Sequence, residues 1–155
     1  MSWAERLLGL SAGDRNEVPL QVKRLPGVLA RGLQSLARCA ELAPTPTAET
    51  EVHHVIQRVE ALYLRLSEAL KNYAPTVISE AAQSEPPLGQ NHWARLVSAL
   101  EHHREARDEL IEGAMAVAED YPQLGAQLEQ LGREEASVIE ELRNLIARAD
   151  PQASD

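Results

Sequence analysis

The chain has 155 residues, which is enough for one domain with a sizeable core. Its residues are 44% hydrophobic, yet it has no Phe, two Trp and three Tyr, so the core must be built from Leu, Val, Ile and Ala, as in helix bundles. A formal net charge of −9 argues against binding to nucleic acids, and the single cysteine, Cys39, excludes a disulfide within the chain. No apolar run is long enough for a membrane span and no signal peptide is predicted, so the cytoplasm is the expected location.

Apolar residues recur at steps of three and four in four segments, which predicts four helices. Pro26 predicts that the first helix becomes regular only after it. Thr47 is predicted to cap the second helix, and Pro122 to open the fourth in its first turn. The four segments cover residues 22–40, 47–73, 91–120 and 122–146.

Helices of this length with one apolar face pack at shallow angles, so the predicted fold is all-α, an antiparallel four-helix bundle in a single domain over residues 1–155. The tight turn at residues 121–122 predicts that the last two helices are antiparallel. The proline-containing stretch 74–90 is long enough for a crossover, which leaves the helix order around the bundle open. Residues 1–16 are predicted to form a short amphipathic segment with a linker, and 150–155 a disordered tail.

Polar residues interrupt the apolar stripes at one height. In a hairpin that turns at residues 121–122, Arg107 lies level with Glu135, and both occupy core-facing positions. His103 is one turn from Arg107 on the same face, and Glu60 joins them if the second and third helices also form a plain hairpin. The sequence therefore predicts a polar core layer of Glu60, His103, Arg107 and Glu135, whose simplest role is to set the register between helices.

The stretch EGAMAVAEDYPQLGAQLEQLGREEASVIEEL, residues 112–142, resembles the second half of a ferritin-like hairpin of the rubrerythrin type. The resemblance implies a bundle in which one helix bears a metal-binding Glu and the next presents Glu-x-x-His to a di-iron site. Glu135 takes the place of the Glu in that motif, but Val138 stands where the His belongs, and Arg107 stands near the position of the first Glu. Since a guanidinium repels a metal ion, the resemblance implies ferritin-like ancestry with the metal centre replaced by an ion pair.

A metal-binding or redox protein with an unconventional site is the alternative. Glu-x-x-His occurs once, at Glu51 and His54, and with His103 and Glu135 these residues supply an alternative ligand set for iron or zinc. Adjacent histidines such as His102 and His103 point about 100° apart on a helix, so the pair does not chelate one ion. The leading interpretation therefore has no metal and no cofactor.

The first ten residues predict a partner-binding face. Trp3, Leu7, Leu8 and Leu10 form a short apolar face, and the SAGDRNEVP that follows is typical of a linker. This segment either binds a groove on another protein or folds back to cap its own bundle. The chain has no phosphate loop and no nucleophile elbow, so the sequence favours a non-catalytic bundle that binds another protein or self-associates.

Overall fold

The computed structural model describes residues 18–73 and 91–150, and these residues confirm the all-α class. The predicted partner-binding residues Trp3, Leu7, Leu8 and Leu10, and residues 151–155 of the predicted tail, lie outside this range. In the part of the chain that is described, no helix combines the length and the apolarity that crossing a membrane requires. A four-residue helix, α1 (Leu20–Lys23), precedes four long helices that pack against one another: α2 (Leu25–Glu41), α3 (Pro46–Leu70), α4 (His92–Val117) and α5 (Pro122–Ala149).

The helix starts follow local capping chemistry. The Thr45 hydroxyl oxygen accepts a hydrogen bond from the N–H of Ala48 at 3.1 Å, so Thr45 caps α3 and the predicted cap at Thr47 is wrong by two residues. Pro26 lies in the first turn of α2, where its missing N–H breaks no helical bond, so α2 starts earlier than predicted. Pro122 opens α5 as predicted.

On each long helix one row of buried residues follows steps of four and three. This heptad spacing keeps one seam of each helix facing its neighbours and favours knobs-into-holes packing. Most of the seam is Leu, Val and Ala, and Cys39 belongs to it as a small core residue. On α4 the seam is His92, Leu96, Ala99, His103, Ala106, Leu110, Gly113 and Val117, and on α5 it is Leu124, Leu128, Leu131, Glu135, Val138, Leu142 and Leu145.

Each long helix has two extensive interfaces. These interfaces join α2 to α3, α3 to α5, α5 to α4 and α4 to α2. Helices α3 and α4 share no extensive interface, so they occupy opposite positions in the ring of four. The plain hairpin of the second and third predicted helices, on which the placement of Glu60 depended, is therefore absent.

Three ion pairs at seven-residue spacing join α3 to α5. Arg58 pairs with Glu141 and also donates to the Ser137 hydroxyl at 3.0 Å. Successive pairs join rising residue numbers in α3 to falling numbers in α5. The row on α3 carries one glutamate followed by two arginines, and the facing row on α5 carries the opposite charge at each of these three positions. The three pairs, here called the α3–α5 charge seam, are Glu51–Arg148, Arg58–Glu141 and Arg65–Glu134.

A charge exchange tests the central pair of this seam. Arg58→Glu places a second carboxylate beside Glu141, and we expect it to lower the free energy of unfolding by about 1–2 kcal/mol, since the pair is half-buried. Adding Glu141→Arg restores the attraction, so the double variant is expected to recover at least half of the loss in a urea denaturation series. Arg143→Glu, which breaks an exposed pair within α5, is the matched control with an expected change below about 0.5 kcal/mol. A double variant no more stable than Arg58→Glu contradicts the assigned pair.

Candidate functional site

His103 and Glu135 form the polar centre of the core. Both side chains are completely buried, and the His103 Nδ1 lies 2.9 Å from Oε1 and 3.1 Å from Oε2 of Glu135. In the tautomer with the ring proton on Nδ1, His103 donates this N–H to the carboxyl oxygens of Glu135. This bond joins α4 to α5 and satisfies the carboxylate, whose burial without a partner costs several kcal/mol.

The other edge of the His103 ring packs against the backbone of α2 at Gly32. A Cβ placed on Gly32 would lie 2.7 Å from Cε1 and 2.9 Å from Nε2 of the ring, which is closer than real carbon contacts allow. The Nε2 atom is buried and has no hydrogen-bond partner. Glycine at position 32 therefore makes room for the imidazole, and the buried pair links three helices.

Two members of the predicted polar layer lie elsewhere. Arg107 is half-buried and donates from Nε and Nη2 to the Asp108 carboxylate at 3.1 and 3.0 Å. The predicted pair of Arg107 and Glu135 is wrong, because the hairpin places Glu135 beside His103, one turn before Arg107 in α4. Glu60 is exposed on α3, since α3 lies opposite α4 in the ring.

The alternative metal ligands are not brought together. Glu51 pairs with Arg148, which lies thirteen residues after Glu135 on α5, or about 20 Å along a helix. His54 is exposed, with Nε2 3.8 Å from Oε1 of Glu141. Within residues 18–73 and 91–150, no three His, Cys, Asp or Glu side chains are grouped so that they could hold a metal ion.

A half-buried carboxylate lies on the side of α4 that faces α2. Burial raises the pKa of the Glu109 carboxyl above its ordinary value of 4.5, and the negative charge of Glu105 raises it further. Arg31 on α2 opposes both effects, but the net direction is upward. The Oε2 atom of Glu109 is buried without a hydrogen-bond partner. The charged form of this side chain therefore destabilises the folded state.

An open groove of about 560 Å³ lies where α4 and α5 approach their turn. Gly125 allows a close approach of the two backbones, because its Cβ position is only 3.1 Å from the Ala118 Cα. Two large apolar side chains at this groove remain outside the core: Met115 is 74% exposed and Ile111 is 40% exposed. We call this surface the hairpin groove; it consists of Ile111, Ala114, Met115, Ala118, Pro122, Gly125 and Ala126, with Glu129 and Arg133 at its rim.

The hairpin groove was not identified in the sequence analysis. A signal for the groove is nevertheless present in the sequence. Ile111, Met115 and Ala118 follow one another at steps of four and three, as a second apolar row beside the buried row of Leu110, Gly113 and Val117. A helix with two apolar rows presents more apolar surface than one core seam can bury.

The close contact of Gly32 with His103 leads to a stability prediction. Gly32→Ala forces the added Cβ into the ring, so we expect the free energy of unfolding to fall by about 1–2 kcal/mol despite the better helix propensity of Ala. His103→Asn keeps an N–H donor for Glu135 but removes Cε1 and Nε2, so Gly32→Ala is expected to be nearly neutral in that background. The control is Gly27→Ala on the same helix, whose Cβ meets no atom within 4 Å. Equal effects of the two alanine variants in the parent chain contradict the contact.

The raised pKa of Glu109 leads to a pH prediction. A folded-state pKa above the unfolded value means that the carboxylate reduces stability at neutral pH and that this cost disappears as the pH falls through the folded pKa. Glu109→Gln is therefore expected to raise the melting temperature at pH 7, with the difference from the parent chain shrinking towards pH 4.5. Melting curves of both proteins between pH 4.5 and 7.5 measure this, with the exposed Glu60→Gln as control. A difference that grows towards acid pH would reverse the assigned direction.

Comparisons of the chain with protein-family models, with curated proteins and with solved structures find no match. The geometry of the described residues is therefore the basis for a functional proposal. It offers a buried polar pair without further acidic or histidine ligands around it, and an open apolar groove on the surface. A completely buried pair offers a partner no surface to contact, whereas the groove does, so the groove is the better candidate for the functional site.

Proposed function

We propose that the four long helices form an antiparallel bundle with one long crossover, the helix order of ferritin-like proteins. The falling residue numbers of α5 against α3 in the charge seam support this direction. Contacts between α2 and α4 likewise join rising residue numbers in α2 to falling numbers in α4. Leu25 faces Gly113, and Gly32 faces His103. The Cys39 carbonyl oxygen lies 2.9 Å from the His92 Nδ1. In this arrangement residues 71–91 connect opposite ends of the bundle.

We further propose that the chain shares ferritin-like ancestry but has lost the metal centre. Glu135, which occupies the position of the Glu in Glu-x-x-His, accepts hydrogen bonds from His103. Val138 is fully buried where the motif requires His. The separation of Glu51 and His54 from Glu135 along the bundle supports the same conclusion, since di-iron ligands must converge at one height.

The chain functions, in our proposal, as a non-catalytic protein-binding bundle, and the hairpin groove is its binding site. The observation that carries this proposal is the 74% exposure of Met115 beside a floor of small side chains. Exposed apolar patches of this kind mark interaction sites, and unbranched Met side chains adapt to the shape of a partner. The groove is open and has charged groups only at its rim, which suits an amphipathic helix better than a small polar substrate.

Substitution of Met115 tests the proposed function. Met115→Glu places a charge in the groove without touching the core, so we expect unchanged helix content and melting temperature but at least a tenfold loss of partner binding, or about 1.4 kcal/mol. The measurement is quantitative capture of proteins on the immobilised chain, with the mass of the free chain measured by light scattering. Leu64→Glu is the matched control, because Leu64 is 67% exposed on α3, outside the groove.

A partner retained by the parent chain and by Leu64→Glu, but lost with Met115→Glu, is the expected result. If the bound partner is a second copy of the chain, light scattering will show a dimer that Met115→Glu converts to a monomer. Partners retained equally by all three proteins would place the binding surface elsewhere. A monomer that captures no protein would contradict the proposal.

A further inference from the structure

We propose that the hairpin groove binds residues 3–10 of its own chain, so that this segment competes with a partner for the same site. The inference rests on the proposed function of the groove as a protein-binding surface. Trp3, Leu7 and Leu10 are spaced by four and three residues, the pattern of anchors that a helix presents to an apolar groove. The groove provides a complementary surface, with exposed Met115 and Ile111 beside small residues that leave room for large side chains.

The chain enters the described structure beside α4, close enough for the segment to reach the groove. Val22 lies against Gly113 on α4, and Val18 is already buried. Met115 is two residues beyond Gly113, on nearly the opposite side of the helix, so a path around α4 covers half of its circumference, roughly 16–19 Å. A fully extended chain of seven residues, the number in 11–17, spans about 23 Å, which exceeds that path.

Charge favours this segment over a second copy as the occupant. Residues 3–10 contain one acidic and one basic side chain, Glu5 and Arg6, and are therefore neutral. The rim of the groove also carries one of each sign, since Arg133 donates to Glu129 at 2.7 Å. Two whole chains, each with a net charge of −9, repel each other when they associate. The segment binds without that repulsion.

Tethering makes even weak binding effective. Joining two binding elements by a short stretch of chain gives an effective concentration on the order of 1 mM, so a segment with an intrinsic Kd of about 0.1 mM occupies the groove in roughly nine of ten molecules. An external ligand then binds with an apparent affinity reduced about tenfold. Removing the main anchor of the segment, Trp3, is expected to restore that affinity.

The test uses a fluorescein-labelled peptide of residues 1–16, titrated with the full-length chain and followed by fluorescence anisotropy. The parent chain is expected to bind the peptide weakly, because its own segment occupies the groove, and Trp3→Ala is expected to bind it about tenfold more tightly. Met115→Glu combined with Trp3→Ala should abolish binding, whereas Leu64→Glu combined with Trp3→Ala should not change it. Circular dichroism of each variant confirms that it is folded.

Three outcomes would overturn the inference. Equal binding by the parent chain and Trp3→Ala means that the segment does not occupy the groove, and binding that survives Met115→Glu places the peptide elsewhere. Absence of binding to every variant means that the segment and the groove do not recognise each other. In each case the capture experiment with Met115→Glu and Leu64→Glu still decides the proposed function, so failure of one proposal is distinguishable from failure of the other.

Discussion

The buried hydrogen bond between His103 and Glu135 determines how α4 lies against α5. Both residues occupy core positions in otherwise apolar seams, where an ionised group without a partner costs several kcal/mol. The neighbouring seam positions on α4 are Ala99 and Ala106, so a slip by one helical turn would leave the carboxylate against a methyl group. Gly32 extends this constraint to α2, since the imidazole requires a residue without a side chain at that point. Three helices thus share one register.

The α3–α5 charge seam sets the register of the remaining helix, α3, against α5. Apolar seams of Leu and Val are chemically similar, so they provide little preference for one neighbour over another. The charge seam, in contrast, has a distinctive order of signs. It runs negative, positive, positive along α3, and the facing positions on α5 carry the opposite signs. This order matches only in one alignment, and the same alignment keeps Glu51 and His54 far from Glu135. The polar contacts that specify the bundle therefore also separate the residues that a di-iron site would need to bring together.

Periodicity was sufficient to predict the four long helices and the start of α5 at Pro122, because each depends on local sequence. The height of the polar layer was predicted less accurately. A turn at residues 121–122 indicated Arg107 as the partner of Glu135, but an error of four residues moves the contact to His103. Glu60 was misplaced because helix order depends on contacts between distant segments, and the seven-residue spacing of charges on α3 and α5 was the available signal for that order.

The hairpin groove is a consequence of how the core of α4 and α5 is packed. Small residues in the α4 seam and Gly125 on α5 bring the two backbones close together, which leaves no space between them for large side chains. Ile111 packs over Gly132 and Met115 projects outward, so the apolar surface appears where the helices are closest. Because His103 and Glu135 lie in the same interface, the register that they impose also determines which residues face the groove. The buried pair therefore influences the shape of the hairpin groove through helix register, without lining the groove itself.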